Sequence, residues 1–331
     1  MKMSRYLQLH CTSPFAPYAE DYVAQKRALG SKCRNEVQTL NMFDAYCIER
    51  GVSEPVLTQE LFDTWCSKRP HENGSTHRIR NQQLRMFARF LRNNSLEAPS
   101  VFLPLPKIEK THIPYIFTHE EIERFLAAVD LTKPCIHYGR KSLAHLVMPV
   151  LFRMLYGCGL RINEALSLRV NDVDITDGVI RLRHETKGDK ERFVPMSASL
   201  AQVCADYRAN PCVAGYESEY FFPAPDKLRY ASCTIYDRFR QYLFAAGIGH
   251  GGRGMGPRLH DFRHTFSVHT LNKWASEGKD LYVLLPILSA YLGHVNIEST
   301  EKYLRLTPEA HSMITRPFEE KFGDVFPKGA L

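Results

Sequence analysis

The sequence has no apolar run long enough to cross a bilayer. Its most apolar stretch, Leu143 to Leu160, is interrupted by His145, Arg153 and two glycines, and Val283 to Gly293 is too short. The opening residues, Met1-Lys-Met-Ser-Arg-Tyr6, lack the apolar segment of a secretory signal. No two of the nine cysteines stand as Cys-x-x-Cys, and nine is odd. Neither a disulfide framework nor a zinc ribbon is supported, and reduced thiols in a cytoplasmic protein are expected. There is no glycine-rich Gly-Lys loop for a nucleotide's phosphates, no internal repeat and no low-complexity tract.

What is present is an ordinary folded composition: 44% hydrophobic and 24% charged residues, which excludes a disordered or fibrous chain. At 331 residues the chain exceeds what one hydrophobic core usually holds, so two domains are expected. The net charge of +7 points toward a polyanion, and its distribution sharpens the point. Residues 1–110 hold 16 Lys+Arg against 11 Asp+Glu, whereas the remaining 221 hold 27 against 25. Lys68 to Arg92 contains seven basic residues and a single acid, Glu72. Within it Arg78, Arg85, Arg89 and Arg92 are spaced by 7, 4 and 3, one stripe of a helix over residues 76–93. Ile79, Met86, Phe87, Phe90 and Leu91 fall on a neighbouring arc expected to face the core. Solvated faces normally mix charge signs; this stripe carries no acid, so it is read as a surface for phosphates.

Organisation follows from the punctuation. A tail over 1–13 precedes an all-helical domain over 14–96, with helices at Tyr18–Leu29, Cys33–Arg50 and Thr58–Lys68 before the basic one. Residues 97–115 contain four prolines and read as an extended linker. The second domain, 116–310, opens with Thr118-His-Glu-Glu121, a capping box ahead of Ile122, Phe125, Leu126 and Val129. Helices are expected at Leu143–Leu155, Leu160–Leu168, 197–209, 232–246, 260–276, 281–292 and 299–305. The alternating runs Val179–His184 and Glu191–Met196, joined through Gly188, predict a β-hairpin. Residues 311–331 form a C-terminal tail. The fold class is mainly α with a small sheet: a helical N-terminal domain and a mixed α/β second domain.

Four segments of that second domain concentrate polar residues that are costly to bury without a role. Arg161 and Glu164 stand three apart at a helix start, close enough to pair. Lys187 precedes the hairpin glycine. His260 and Arg263 share a helix face. His294 ends Leu292-Gly-His294, and Tyr303 follows nine residues later.

Singly these features are weak, but in this order they resemble the tyrosine recombinase, or phage integrase, family of two-domain type without an arm-binding domain. The family pattern runs Gly-Leu-Arg-x-x-Glu, a lysine on a β-hairpin, His-x-x-Arg, Leu-Gly-His, then a tyrosine. The resemblance implies a core-binding domain followed by a catalytic domain of the DNA breaking-rejoining type. It implies that Arg161 and Arg263 grip the non-bridging phosphate oxygens, with His294 as a further donor. Tyr303 would be the nucleophile, His260 its proton acceptor, Lys187 the acid for the leaving 5′ oxygen and Glu164 a support for Arg161. It further implies no metal and no cofactor, duplex DNA as partner, Arg78, Arg85, Arg89 and Arg92 on its phosphates, and no membrane. Four protomers would act on two duplexes through a four-way junction, with a monomer or dimer when free, for a mobile genetic element. The C-terminal tail would dock a neighbouring subunit or its own domain.

Three other readings stand beside it. A type IB topoisomerase uses similar residues to cut and reseal one strand. A non-catalytic DNA-binding protein would be expected had one of the six polar residues been lost. A zinc hydrolase is suggested by the i,i+4 spacing of His260 and His264, but it needs a glutamate where Asp261 stands.

Overall fold

The computed structural model describes residues 8–105, 113–137, 140–183, 191–252, 255–294 and 296–304. The chain divides into two compact units, Met1–Thr111 and His112–Leu331.

The first unit is built from α1 (Ala16–Ala28), α2 (Arg34–Glu49), α3 (Gln59–Cys66) and α4 (Gly74–Asn93). Thr58 and Asn73 start α3 and α4, their side chains accepting the backbone N–H groups of Leu61 and Thr76. The core is aromatic: Phe43 packs on Phe15 and edge-on to Trp65, each at 5.5 Å between centroids. α4 lays Leu84, Phe87, Ala88 and Leu91 into this core. Ile79 and Met86, expected to point inward, are instead 42% and 37% exposed. The reason is that the inward stripe continues through polar residues. Arg80 is buried because Glu72 neutralises it at 2.9 Å and the Ser67 carbonyl takes its guanidinium at 2.8 Å. Counting apolar residues misses such a stripe.

The second unit opens with α5 (His119–Asp130), where Thr118 and Glu121 form the predicted capping box. There follow a two-stranded hairpin, β1 (Cys135–His137) with β2 (Arg140–Ser142), then α6 (Ala144–Gly157) and α7 (Ile162–Ser167). β3 (Val173–Asp174), β4 (Val179–Leu182) and β5 (Arg192–Pro195) form an antiparallel sheet in sequence order, with Ile180 opposite Val194 and Leu182 opposite Arg192. The β4–β5 turn, and Lys187 with it, lies outside the described residues. α8 (Ala198–Ala209), α9 (Pro211–Ala214), α10 (Ser232–Ala245), α11 (Asp261–Ser276), α12 (Leu281–Leu292) and α13 (Glu298–Leu304) complete the unit. β1, β2 and β3 have two or three residues each, too few for alternation to show in a sequence.

α11 separates two apolar clusters. Phe262 belongs to the larger, stacked on Phe117 and packed near Phe125 and Phe152; Val268 and Leu271 belong to the smaller, with Leu285, Leu288 and Leu292 of α12. Held from both sides, α11 is a rigid support for whatever projects between the clusters. Among the described residues, no helix is long and apolar enough to cross a membrane.

Candidate active site

α12 ends at Gly293, whose left-handed backbone (φ 67°) stops the helix and leaves its last carbonyls to be satisfied from outside. Three arginines do this in succession. Tyr291 O accepts from Arg192 Nε at 3.0 Å, Leu292 O from Arg263 Nη2 at 2.5 Å, and Gly293 O from Arg161 Nη2 at 3.2 Å. The negative end of the helix dipole favours cations there, and it fixes three guanidiniums around one short turn.

Each arginine arrives by a different route. Arg161 caps α7, its backbone N–H donating to Glu164 Oε2 at 2.8 Å and its Nη1 to Oε1 at 2.7 Å. Arg192 lies on the face of β5 that also carries buried Val194, and its Nη2 donates to Glu164 Oε2 at 3.0 Å. Burial alone would raise the Glu164 carboxyl, but Arg192, then the Arg161 N–H and side chain, outweigh it and hold the group below the usual carboxylate range. Arg263 projects from α11, is 1% exposed, and also donates to Gly159 O at 2.9 Å. Burial, then the charge of Arg161, pushes its pKa down to about 10, so it stays a cation at neutral pH.

Beside this cluster lies Tyr303 of α13, only 3% exposed. Its Oη is 3.0 Å from His264 Nδ1. Burial raises the phenol's pKa against the opposing pull of Arg263 and Ser267, so the hydroxyl keeps its proton at neutral pH. His294 Nδ1 meets Thr300 Oγ1 at 2.7 Å, and its ring stacks toward Tyr303 at 6.2 Å. Burial, followed by Arg263 and Arg161, pushes His294 down to about 4. His260, the N-cap of α11, presents an exposed ring. Desolvation in its recess, then Arg263 and Arg161, pushes it too down to about 4, although an open ring feels the first of these less than a sealed one. Both imidazoles are therefore neutral at neutral pH. They can hydrogen-bond or take a proton, but they add no fixed positive charge.

The structure thus brings Arg161, Glu164, His260, Arg263, His294 and Tyr303 into one site. Two members of it stand outside that sequence reading: Arg192, and His264, which beside His260 reads as structural. Arg192 was signalled by strand alternation, which puts a charged residue on an apolar face; His264 was signalled by its place one turn after His260. Asp261, standing where a zinc hydrolase would need a glutamate, is buried and accepts the Arg258 N–H at 2.7 Å. Among the described residues, no three His, Cys, Asp or Glu side chains gather as a metal site.

The basic stripe of α4 belongs to the other unit, and its arginines divide. Arg85 donates to Leu103 O and Arg92 to Pro99 O, with both guanidiniums over Phe102 at 5.4 and 5.9 Å. Those two also strap down the start of the proline-rich segment, a role their spacing alone did not show. Arg89 is exposed and Arg78 half-buried.

Residues 116–310 match the phage integrase family. A putative integrase/recombinase of Sinorhizobium fredii, y4rB, is 34% identical over 94% of this chain and 99% of its own length. The chain belongs to the phage integrase family. Another relative, the tyrosine recombinase XerD of Pseudomonas putida, is 30% identical over 80% of this chain and 83% of its own. Two solved structures share the integrase fold. The XerH site-specific recombinase bound to its difH substrate has a TM-score of 0.61 at 16% identity, covering 91% of this chain and 84% of that one. The Tn1549 transposon integrase with transposon right end DNA reaches 0.62 at 17%, covering 90% and 98%. This integrase is an enzyme of DNA recombination, a tyrosine recombinase.

Proposed function

We propose that this recombinase cuts one DNA strand by attack of Tyr303 on the scissile phosphodiester, leaving a 3′-phosphotyrosine and a free 5′-hydroxyl. The observation that carries this reading is the convergence of Arg161 and Arg263 on the end of α12 beside the Tyr303 phenol. A phosphodiester repels nucleophiles and gains charge in the transition state. Guanidinium forks on its non-bridging oxygens counter both, and a preorganised set pays no reorganisation cost during the reaction. His294 adds a neutral donor, Glu164 keeps Arg161 in place, and Lys187 protonates the leaving oxygen. The covalent link conserves the energy of the broken bond, so rejoining calls for no cofactor and no metal.

Strand exchange between two duplexes then proceeds through a four-way junction held by four protomers, with residues 311–331 docking one subunit on the next. Duplex DNA is the partner; the relative named integrase/recombinase, and the integrase solved in complex with transposon right end DNA, support a mobile element as the setting. Arg89, with Arg78 beside it, contacts the DNA backbone.

The test uses a duplex selected from a random-sequence pool by covalent capture on the wild-type protein, then nicked beside the cleavage point so that the cut end diffuses away. Wild type accumulates the adduct, and Tyr303→Phe binds the same duplex without forming it. An adduct on Tyr303→Phe overturns the nucleophile. Joining of the captured strand to a second, different duplex separates recombination from simple strand relaxation.

A further inference from the structure

The Tyr303 hydroxyl has a histidine partner, and it is not the one the family pattern supplies. His264 Nδ1 lies 3.0 Å from Tyr303 Oη, with the rings 5.5 Å apart and tilted by 55°. His260 stands one helical turn earlier, its ring edge-on to that of His264 at 4.7 Å. Three rings therefore run Tyr303, His264, His260, and only the middle one reaches the phenol. His264 is also the better held of the two imidazoles. It lies inside α11, between Phe262 in one cluster and Val268 in the other, whereas His260 occupies the helix cap with an exposed ring.

We propose that His264 is the catalytic residue that accepts the Tyr303 proton during strand cleavage. The inference rests on the reading of Tyr303 as nucleophile. As the Tyr303 Oη–H bond breaks, the proton passes to His264 Nδ1, giving an imidazolium. The freed electron pair forms the Oη–P bond, the P–O5′ bond breaks, and the leaving oxygen takes its proton from a separate acid, an ammonium or a water. Rejoining runs the same transfers backwards, the imidazolium returning the proton to the phenol. The step uses the tautomer with hydrogen on Nε2, which turns the Nδ1 lone pair to the hydroxyl. Among the described residues, the groups around the pair are His260 and Arg263 on the same helix, Ser267 one turn on, His294 after α12 and Arg161 at the start of α7. The two arginines favour a developing phenolate over the phenol. His260, exposed beyond His264, is left facing the incoming DNA.

The experiment measures single-turnover cleavage of the nicked, pool-selected duplex by the full chain, with oxygen or sulfur at the bridging 5′ position. Sulfur leaves without needing an acid, so it rescues defects at the leaving group and not at the nucleophile. His264→Ala is expected to lose about 10²–10⁴-fold in rate on both substrates, and imidazole in the buffer is expected to restore part of it. His264→Asn keeps polar atoms at that place but accepts no proton, and is expected to be equally slow while melting and binding DNA like wild type. Wild-type rates in either variant, or rescue by sulfur without imidazole, overturn the proposal. Tyr303→Phe runs alongside: an adduct there overturns the nucleophile reading, whereas its absence with fast His264 variants overturns only this inference.

Discussion

Arg192 Nη2 lies 3.0 Å from Glu164 Oε2, a pair closed across 28 residues of chain. The same carboxylate holds Arg161, so Glu164 spaces two guanidiniums that sit on neighbouring carbonyls of α12. Arg192 is a positioning residue: it touches Glu164 and the helix end, and through them sets where Arg161 stands.

Removing Arg192 should therefore act at a distance. Arg192→Ala is expected to lower cleavage on the order of 10²-fold, the scale of a displacement of about 1 Å in a catalytic group, while affinity for the duplex changes little. Arg192→Lys restores the charge but not the planar fork and should recover only part of the rate. Parallel binding and single-turnover measurements decide it; equal losses in both would place Arg192 on the DNA.

A side chain at Gly293 would have to push Arg192 aside. A Cβ there would lie 2.9 Å from Arg192 Cζ, on a backbone with φ of +67°. Gly293→Ala is expected to cost about 1–2 kcal/mol for the left-handed conformation alone, with a further loss from displacing Arg192. In an Arg192→Ala background the steric part vanishes, so the double variant should lose less than the sum of the singles. Thermal melts of the four proteins read this coupling.

The stripe on α4 should split by role. Arg89→Ala is expected to weaken DNA binding and to reduce the slope of log K against log salt by about 1, with the fold intact. Replacing Arg85 and Arg92 together should instead destabilise the first unit, by about 1–3 kcal/mol for the lost hydrogen bonds, and expose residues 99–105 to protease. An unchanged digestion pattern would count against the strap.

Stability should also fall on acidification for a reason unconnected with catalysis. Burial, then neighbouring His119, holds His269 down to about 4, with its Nδ1 at 2.9 Å from the Tyr156 hydroxyl. A lowered histidine pKa means that the unfolded chain binds the extra proton first. The contribution is therefore complete above the ordinary value near 6.5 and is lost as pH falls from there through 4. His269→Gln should flatten the pH dependence of stability over that window, read from denaturant melts, by an amount on the order of 1 kcal/mol at pH 5 after allowance for the ring's partial exposure.

Local signals carried most of the fold. Thr118 and Glu121 announced α5, the hairpin alternation announced β4 and β5, and the arginine spacing announced α4. The order Arg161, His260, Arg263, His294, Tyr303 pointed to residues that the structure draws together. What stayed hidden depended on partners remote in sequence. Arg80 reads as surface until Glu72 is seen to neutralise it. Arg85 and Arg92 read as members of a stripe and nothing more until the carbonyls of Leu103 and Pro99 come within reach. Arg192 reads as one more hairpin cation until β5 places it under Gly293. His264 was legible as a neighbour of His260, but which of the two meets Tyr303 is set by how α13 packs on α11.

The 3% exposure of Tyr303 has a consequence for timing. An incoming phosphorus atom has to come within bonding range of Oη, and a hydroxyl so covered offers no line of approach. Cutting therefore requires the groups that cover the phenol to part while α13 stays against α11, where Oη keeps its 3.0 Å contact with His264 Nδ1. A phosphodiester that does not part that cover meets no nucleophile and leaves unbroken.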